Sequence, residues 1–394
     1  MVCDLEDNMN IVVAIDSFKG CLTSLEAGKA AGAGVSAVFP GADVKVMPLA
    51  DGGEGTVEAL TLGMGGALNN LEVTGPMKKK VKAQYGILPD GKTAIVEMSS
   101  AAGITLVPQE ERNPLHATTY GVGEILVDAI RKGCRHFIVG IGGSATNDGG
   151  VGMLQALGFD MQDGQGKQVP LGAVGLKELA SIEDKNVLPE LRECTFRVAC
   201  DVANPLCGRE GCSAVFAPQK GAGLSEIRDM DEWMKHYAEI SCLKYPHADP
   251  EYPGAGAAGG MGFAFMTYMG ARLESGIGIV LAETKLEKYI ARADLVITGE
   301  GRLDGQTIMG KAPIGVARLA KKYGKPVIAF CGSATPEAMA CNEHGIDAYF
   351  PILRQPATLA EAMDREMARQ NMIDTVAQVM RAIRIKVPSC TADT

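Results

Sequence analysis

Short apolar runs and longer amphipathic stretches alternate along the chain. The runs are residues 11–15 (IVVAI), 44–49 (VKVMPL), 137–141 (FIVGI), 295–298 (LVIT) and 327–330 (VIAF). Each is too short for a helix and is bounded by turn residues, so each predicts a buried strand. Helical patterns follow at 23–39, 56–62, 150–157, 314–323 and 335–344. Thr23 with Glu26 has the spacing of a capping box, which marks the start of the first helix. Alternation of this kind predicts an α/β protein with parallel sheets and helices on both faces.

Residues 71–107 break the pattern. They read as short strands joined by turns, with Pro89-Asp90-Gly91 as a strong turn signal between two runs. A mixed or antiparallel sheet set into an α/β chain accounts for them. Residues 252–271 are uncharged but hold a Pro, six Gly and no Leu, Ile or Val, so they do not predict a membrane span. Met261, Phe263, Phe265, Met266 and Met269 read as core. The acidic start, MVCDLEDNMN, has no apolar run of the kind a signal peptide needs. Eleven scattered Cys form no C-x-x-C, and five His form no H-x-x-x-H, so free thiols in a reducing cytosol are expected and a zinc site is not.

The chemistry enters at the strand ends. IVVAI is followed by Asp16, Ser17 and Lys19. VKVMPLA is followed by Asp51 and then GGEG. The run at 137–141 leads to Asn147 and Asp148, FRVAC to Asp201 and Asn204, and LVITG to Glu300, Arg302 and Asp304. In open α/β sheets this edge is where ligands bind. Carboxylates gathered at one edge repel unless a cation joins them, and oxygen ligands at that density suit Mg²⁺. The net charge of -9 excludes bulk nucleic-acid binding but permits an anionic substrate held by a few cations.

Three glycine patterns bear on which ligand. Residues 140–145 (GIGGSA) match a dinucleotide fingerprint after a strand, with Asp160 about 20 residues on. That supports a nicotinamide oxidoreductase of a small hydroxy acid. Asp148 argues against it. A carboxylate about 4 Å from an unbridged phosphate costs on the order of 4 kcal/mol at an effective dielectric of 20. A Mg²⁺-nucleotide would use that carboxylate, which favours phosphoryl over hydride transfer. Residues 254–259 (GAGAAG) repeat the fingerprint without a strand and suit a loop that closes on a ligand. Residues 305–311 (GQTIMGK) resemble a P-loop, but Ala312 stands where a Mg²⁺-binding Ser or Thr is needed. Lys311 is left as a phosphate-neutralising candidate. A two-lobed, non-catalytic protein that binds a small acid is a third reading.

Eight ordered segments carry a more specific signal: DSFKG (16–20), ADGGEGT (50–56), ATTYGVGE (117–124), GIGGSATNDGGVGMLQALG (140–158), CDVANPLCG (200–208), APQKGA (217–222), GAGAAGGMG (254–262) and TGEGRLDGQTIMGKAPIGVA (298–317). Together they resemble the bacterial class I glycerate kinases from about Met9 to Arg384. The resemblance implies ATP-dependent, Mg²⁺-requiring phosphorylation of D-glycerate, with 2-phosphoglycerate the expected product and 3-phosphoglycerate the alternative. It implies a doubly wound, Rossmann-like parallel-sheet domain (9–72 plus 287–386) with a second, mixed-sheet α/β domain (73–286) inserted into it, and a site in the cleft between them. Residues 1–8 and 387–394 are expected to be flexible ends. A cytoplasmic monomer or homodimer without nucleic-acid or membrane partners is expected.

Roles follow from chemistry. Asp51, Asp201, Glu300 and Lys19 are the expected catalytic residues, with Asp148, Asp201, Glu300 and Asp304 as metal ligands. Arg302, Ser17, Asp16 and Asn204 are expected on the substrate. Arg302 is the better carboxylate partner because a guanidinium pairs bidentately. Gly142, Gly143, Ser144, Asn147, Lys311, Gly256 and Gly259 are expected at the nucleotide.

Overall fold

The computed structural model describes residues 9–385; the expectations for residues 1–8 and 387–394 lie outside the described residues. The described strands are β1 (Asn10–Ile15), β2 (Asp43–Pro48), β3 (Ala67–Thr74), β4 (Lys80–Ile87), β5 (Thr93–Glu97), β6 (His136–Gly140), β7 (Asp160–Gln162), β8 (Ser181–Glu183), β9 (Thr195–Ala199), β10 (Arg272–Glu274), β11 (Leu295–Leu303), β12 (Val327–Ala334) and β13 (Ala348–Pro351). The chain divides into two compact units, Met1–Asp51 with Val280–Thr394, and Gly52–Ile279. The expected first boundary at 72/73 falls instead at 51/52. Helix Thr56–Gly63 packs on β3, β4 and β5 and so belongs to the second unit. The second boundary falls at 279/280 rather than 286/287.

The first unit holds a parallel sheet in the order β13-β12-β11-β1-β2. Ile11, Val13 and Ile15 of β1 share one core with helices Ser24–Ser36 and Arg365–Arg384. Val12 and Ala14 are buried on the opposite face, where helix Ala312–Lys322 packs. The small-residue run of the first helix has a packing reason. A Cβ on Gly34 would lie 2.6 Å from the Ile373 carbonyl, so only glycine lets the two helices approach this closely. The capping box forms as expected: Thr23 Oγ1 accepts from Glu26 N–H and Glu26 accepts from Thr23 N–H.

Strand order reverses between β1 and β11, with Ile15 level with Gly299. That reversal makes the carboxyl ends of these two strands the topological switch point of the sheet. β11 runs five residues past its expected end because β12 also continues, pairing Glu300 with Cys331 and Arg302 with Ser333. The helix expected at 335–344 is instead a 3₁₀ turn, Pro336–Met339, and a single α turn, Ala340–Glu343.

The second unit holds a six-stranded mixed sheet in the order β10-β9-β6-β5-β4-β3, with the β3–β4 and β4–β5 pairs antiparallel and the other pairs parallel. The turn at Pro89-Asp90-Gly91 joins β4 to β5. Asp90 accepts from the N–H groups of Lys92 and Thr93, and Gly91 takes φ +65°. Met261, Phe263 and Phe265 lie in the core, with Met266 and Met269 packed against it.

Buried Ser24 joins the ends of two strands in the first unit. Its hydroxyl donates to Ile15 O at 2.7 Å and accepts from Leu49 N–H at 3.0 Å. Asp16 follows the first of these residues directly, and Asp51 lies two beyond the second. Ser24→Ala leaves a buried carbonyl and a buried N–H without their partner, which costs about 1–3 kcal/mol. Urea unfolding is expected to show that loss with an unchanged slope.

Candidate active site

In the first unit, a cavity of about 510 Å³ opens at the switch point. Asp16, Ser17, Lys19, Asp51, Glu300, Arg302, Asp304 and Lys311 all line it. The parallel register brings them there. Asp16 N–H continues the β1 ladder to Gly299 O at 2.9 Å, so the side chain of Asp16 emerges beside Glu300. Asp16 is 7% exposed and Glu300 8%. Burial, then the charge of Asp51 and next that of Glu300, push the Asp16 carboxyl up to about 7, against the Ser17 N–H, which donates to it at 2.7 Å, and Lys19. Burial also raises Glu300, against the Thr307 hydroxyl and Lys311.

Thr307 has no counterpart among the expected site residues. Its hydroxyl donates to Glu300 Oε1 at 2.7 Å and accepts from Asp304 N–H at 3.1 Å, fixing one carboxylate rotamer from inside the P-loop-like segment. A polar residue in that glycine-rich run was the available signal. Lys311 Nζ stands 3.8 Å from Glu300 and 3.9 Å from Asp304, beyond hydrogen-bonding reach of either. It thus balances charge without being bound tightly. Arg302 is mostly exposed, with its guanidinium 3.7 Å from Asp304.

The donor set fits a hard divalent cation beside phosphates. Carboxyls raised by burial, and further by their neighbours' charges, gain from a positive charge, and the ammonium groups of Lys19 and Lys311 line the same cavity. Among the described residues, no three Asp, Glu, His or Cys side chains form a ready-made cage. Mg²⁺ does not need one, because it is held by one or two carboxylates together with waters and substrate phosphates.

The remaining expected residues lie in the second unit. Asp148 is fully buried and accepts from Thr119 N–H and Oγ1, both at 2.9 Å, and from the N–H groups of Gly150 and Gly152. Its carboxylate organises its own loop, which leaves it no approach to a metal, contrary to the reading of it as a ligand. Asn147 is equally buried, donating to Ser213 Oγ at 2.9 Å, so it too departs from the expected nucleotide contact. Ser144 accepts from Lys220 Nζ at 2.8 Å, and Lys220 also donates to Thr146 O at 2.6 Å. Lys220 is 1% exposed, and burial holds its ammonium down to about 8. The APQKGA segment carried this lysine, but a lone Lys gives no sign in sequence of being buried.

The glycines divide. Gly142 and Gly143 are exposed. Gly256 N–H is taken by Asn204 O at 3.0 Å, and the Gly259 carbonyl accepts from Gly149 N–H at 2.9 Å. A Cβ on Gly259 would lie 2.2 Å from Thr146 O. These two glycines therefore allow close backbone packing, and segment 254–262 is packed rather than a closing loop. Asp201, two residues past the end of β9, is exposed, and its Oδ1 accepts from Gly276 N–H at 3.1 Å. Asn204 donates to Glu210 O at 2.8 Å. The 140–145 turn does not open a helix, since the next one, Val151–Ala156, starts after Asp148. Asp160 sits in the two-stranded β7–β8 sheet, bonded to Asn186. The pyrophosphate-on-helix arrangement of a dinucleotide fold is absent at this turn.

Comparison with known proteins gives one family. A sequence model of the Glycerate kinase family matches residues 11–384. The chain is 49% identical over 355 residues to Glycerate 2-kinase of Escherichia coli strain K12, covering 90% of this chain and 93% of that one. It is 47% identical over 378 residues to Glycerate kinase of Haemophilus influenzae, covering 96% and 100%. A crystal structure of a glycerate kinase 2 candidate from Salmonella typhimurium LT2 superposes with a TM-score of 0.89 at 45% identity, covering 96% of this chain and 98% of that one. Among the described residues, no helix is long and apolar enough to cross a membrane.

The raised Asp16 carboxyl has a consequence for stability. Its folded value, about 7, lies above its ordinary 3.8, so the folded chain holds a proton that the unfolded chain releases. That contribution is full below 3.8, declines as pH rises, and is lost above about 7. Its size is on the order of 4 kcal/mol. Melting of the metal-free protein is expected to fall between pH 4 and 7. Asp16→Asn should flatten that fall and raise the melting temperature at pH 7.

Proposed function

The chain belongs to the glycerate kinase family, and from that premise we propose that it transfers the γ-phosphoryl group of ATP to the C2 hydroxyl of D-glycerate, giving 2-phosphoglycerate and ADP. Membership makes it an ATP-dependent kinase of a small molecule. The relative in Escherichia coli is a glycerate 2-kinase, which supports the C2 position. The observation that carries the proposal is the cluster of Asp16, Asp51 and Glu300 at the switch point, with Lys19 and Lys311 beside it.

In the reaction, the bond from the γ-phosphorus to its bridging oxygen breaks and a bond to the glycerate oxygen forms. The hydroxyl proton leaves to a carboxylate. ADP carries away the electron pair of the broken bond. Phosphoryl transfer asks the protein for alignment and charge balance more than for covalent help. Mg²⁺, when bound, would neutralise phosphate oxygens, with Glu300, Asp304 and Asp201 its proposed ligands. Asp51 is proposed to take the hydroxyl proton. Lys19 and Lys311 are proposed to steady the charge on the transferring group. Arg302, with Ser17, Asp16 and Asn204, is proposed to hold glycerate, the exposed guanidinium pairing with its carboxylate. The exposed Gly142–Gly143 turn would offer backbone N–H groups to an anion.

Glu300→Gln keeps the shape and removes the charge. It is expected to lower kcat by at least about 100-fold with an unchanged circular dichroism spectrum. A folded variant with near-normal turnover would remove Glu300 from the mechanism. Thr307→Val is expected to lower kcat about tenfold through loss of Glu300 orientation. Thr307→Ser, which keeps the hydroxyl, is expected to retain the rate. Steady-state assays of ADP release with D-glycerate read both.

A further inference from the structure

The cavity at the switch point has an arm that glycerate cannot use. One end carries the carboxylates and lysines already described. The other end is walled by Leu353, Ala362 and Met363, beside the core residues Phe18 and Ile352, which are 5% and 2% exposed. These come from the loop after β1, from the end of β13 and from the segment beyond it. Every carbon of glycerate bears oxygen, so an apolar wall offers it nothing. The cavity, at about 510 Å³, is also far larger than so small an acid needs. Asn371 is the only side-chain amide in the lining, and an amide can both donate to and accept from the edge of a heteroaromatic ring.

We propose that this apolar arm is the base subsite for ATP. The adenine would lie against Leu353 and Met363 with its polar edge toward Asn371, and its triphosphate would run to Lys19 and Lys311. The inference rests on the phosphoryl-transfer reading above and adds the nucleotide's location to it. It puts the base on the β11–β13 side of the switch point, on the first unit alone. The geometry of the second unit agrees, because Gly256 and Gly259 are engaged in backbone packing and Asn147 is fully buried. Apolar side chains exposed in the wall, such as Met363 at 39%, would gain cover from a planar ring.

Calorimetry with two probes separates the base from the phosphates. Mg-ATP reads both ends of the cavity and Mg-tripolyphosphate reads only the charged end. Wild-type protein is expected to bind Mg-ATP at least about tenfold more tightly than Mg-tripolyphosphate. Ala362→Trp fills the arm and is expected to erase that advantage while leaving tripolyphosphate affinity unchanged. A folded Ala362→Trp that keeps the full advantage of ATP would overturn the proposal. If that variant does not fold, Met363→Asp, at a part-exposed position, carries the same test. A wild-type protein that shows the base-dependent advantage yet does not phosphorylate glycerate would sink the reaction assigned above and uphold the subsite.

Discussion

Like charges brought together by a parallel sheet set the terms for the rest of the first unit. β1 and β11 are neighbours in register, Ile15 beside Gly299, so the residues that follow them cannot be far apart. Both are carboxylates, both are buried, and Asp51 arrives from the next strand. Burial is the larger penalty on both carboxyls, and the charges of neighbouring carboxylates add to it. A sheet edge of this kind is costly without a positive partner. The local structure manages that cost: Ser24 ties two strand ends, Thr307 fixes Glu300, and Lys311 stands close to two acids without bonding to either.

The second unit handles its buried charges differently. Asp148 and Lys220 both lie inside the loop region after β6, and each is satisfied by backbone and hydroxyl groups. Burial raises the carboxyl and lowers the ammonium. Such groups hold a loop in one shape. Glycines 256 and 259 serve the same end by letting backbones meet where a side chain would collide. The exposed Gly142–Gly143 turn is what this framework presents outward.

Much of this was legible in the sequence. Apolar runs ending in Asp or Glu located the switch point, because strand length and edge position follow from local pattern. Asp16, Asp51, Glu300, Asp304 and Lys311 do share one cavity. Residues whose role depends on burial were not legible. Asp148 carries the same letters as a metal ligand, and only the fold shows its carboxylate enclosed by Thr119 and two backbone N–H groups. Gly256 and Gly259 fit a phosphate-binding pattern, yet their spacing records contact with the Asn204 and Thr146 backbones. Thr307 and Ser24 act through single hydroxyls across sequence gaps that no periodicity reports. The first boundary moved because helix Thr56–Gly63 packs onto strands that follow it.

The carboxylate edge is proposed to serve transfer of a phosphoryl group to glycerate. Phosphorus NMR on the purified protein with Mg-ATP and D-glycerate tests it most directly, with L-glycerate as the control. Loss of the γ-phosphate signal, formation of ADP and a new phosphomonoester resonance are expected. Its coupling to a single carbon-bound proton would mark substitution at C2. Intact, folded protein that leaves both ATP and D-glycerate unchanged would contradict the account.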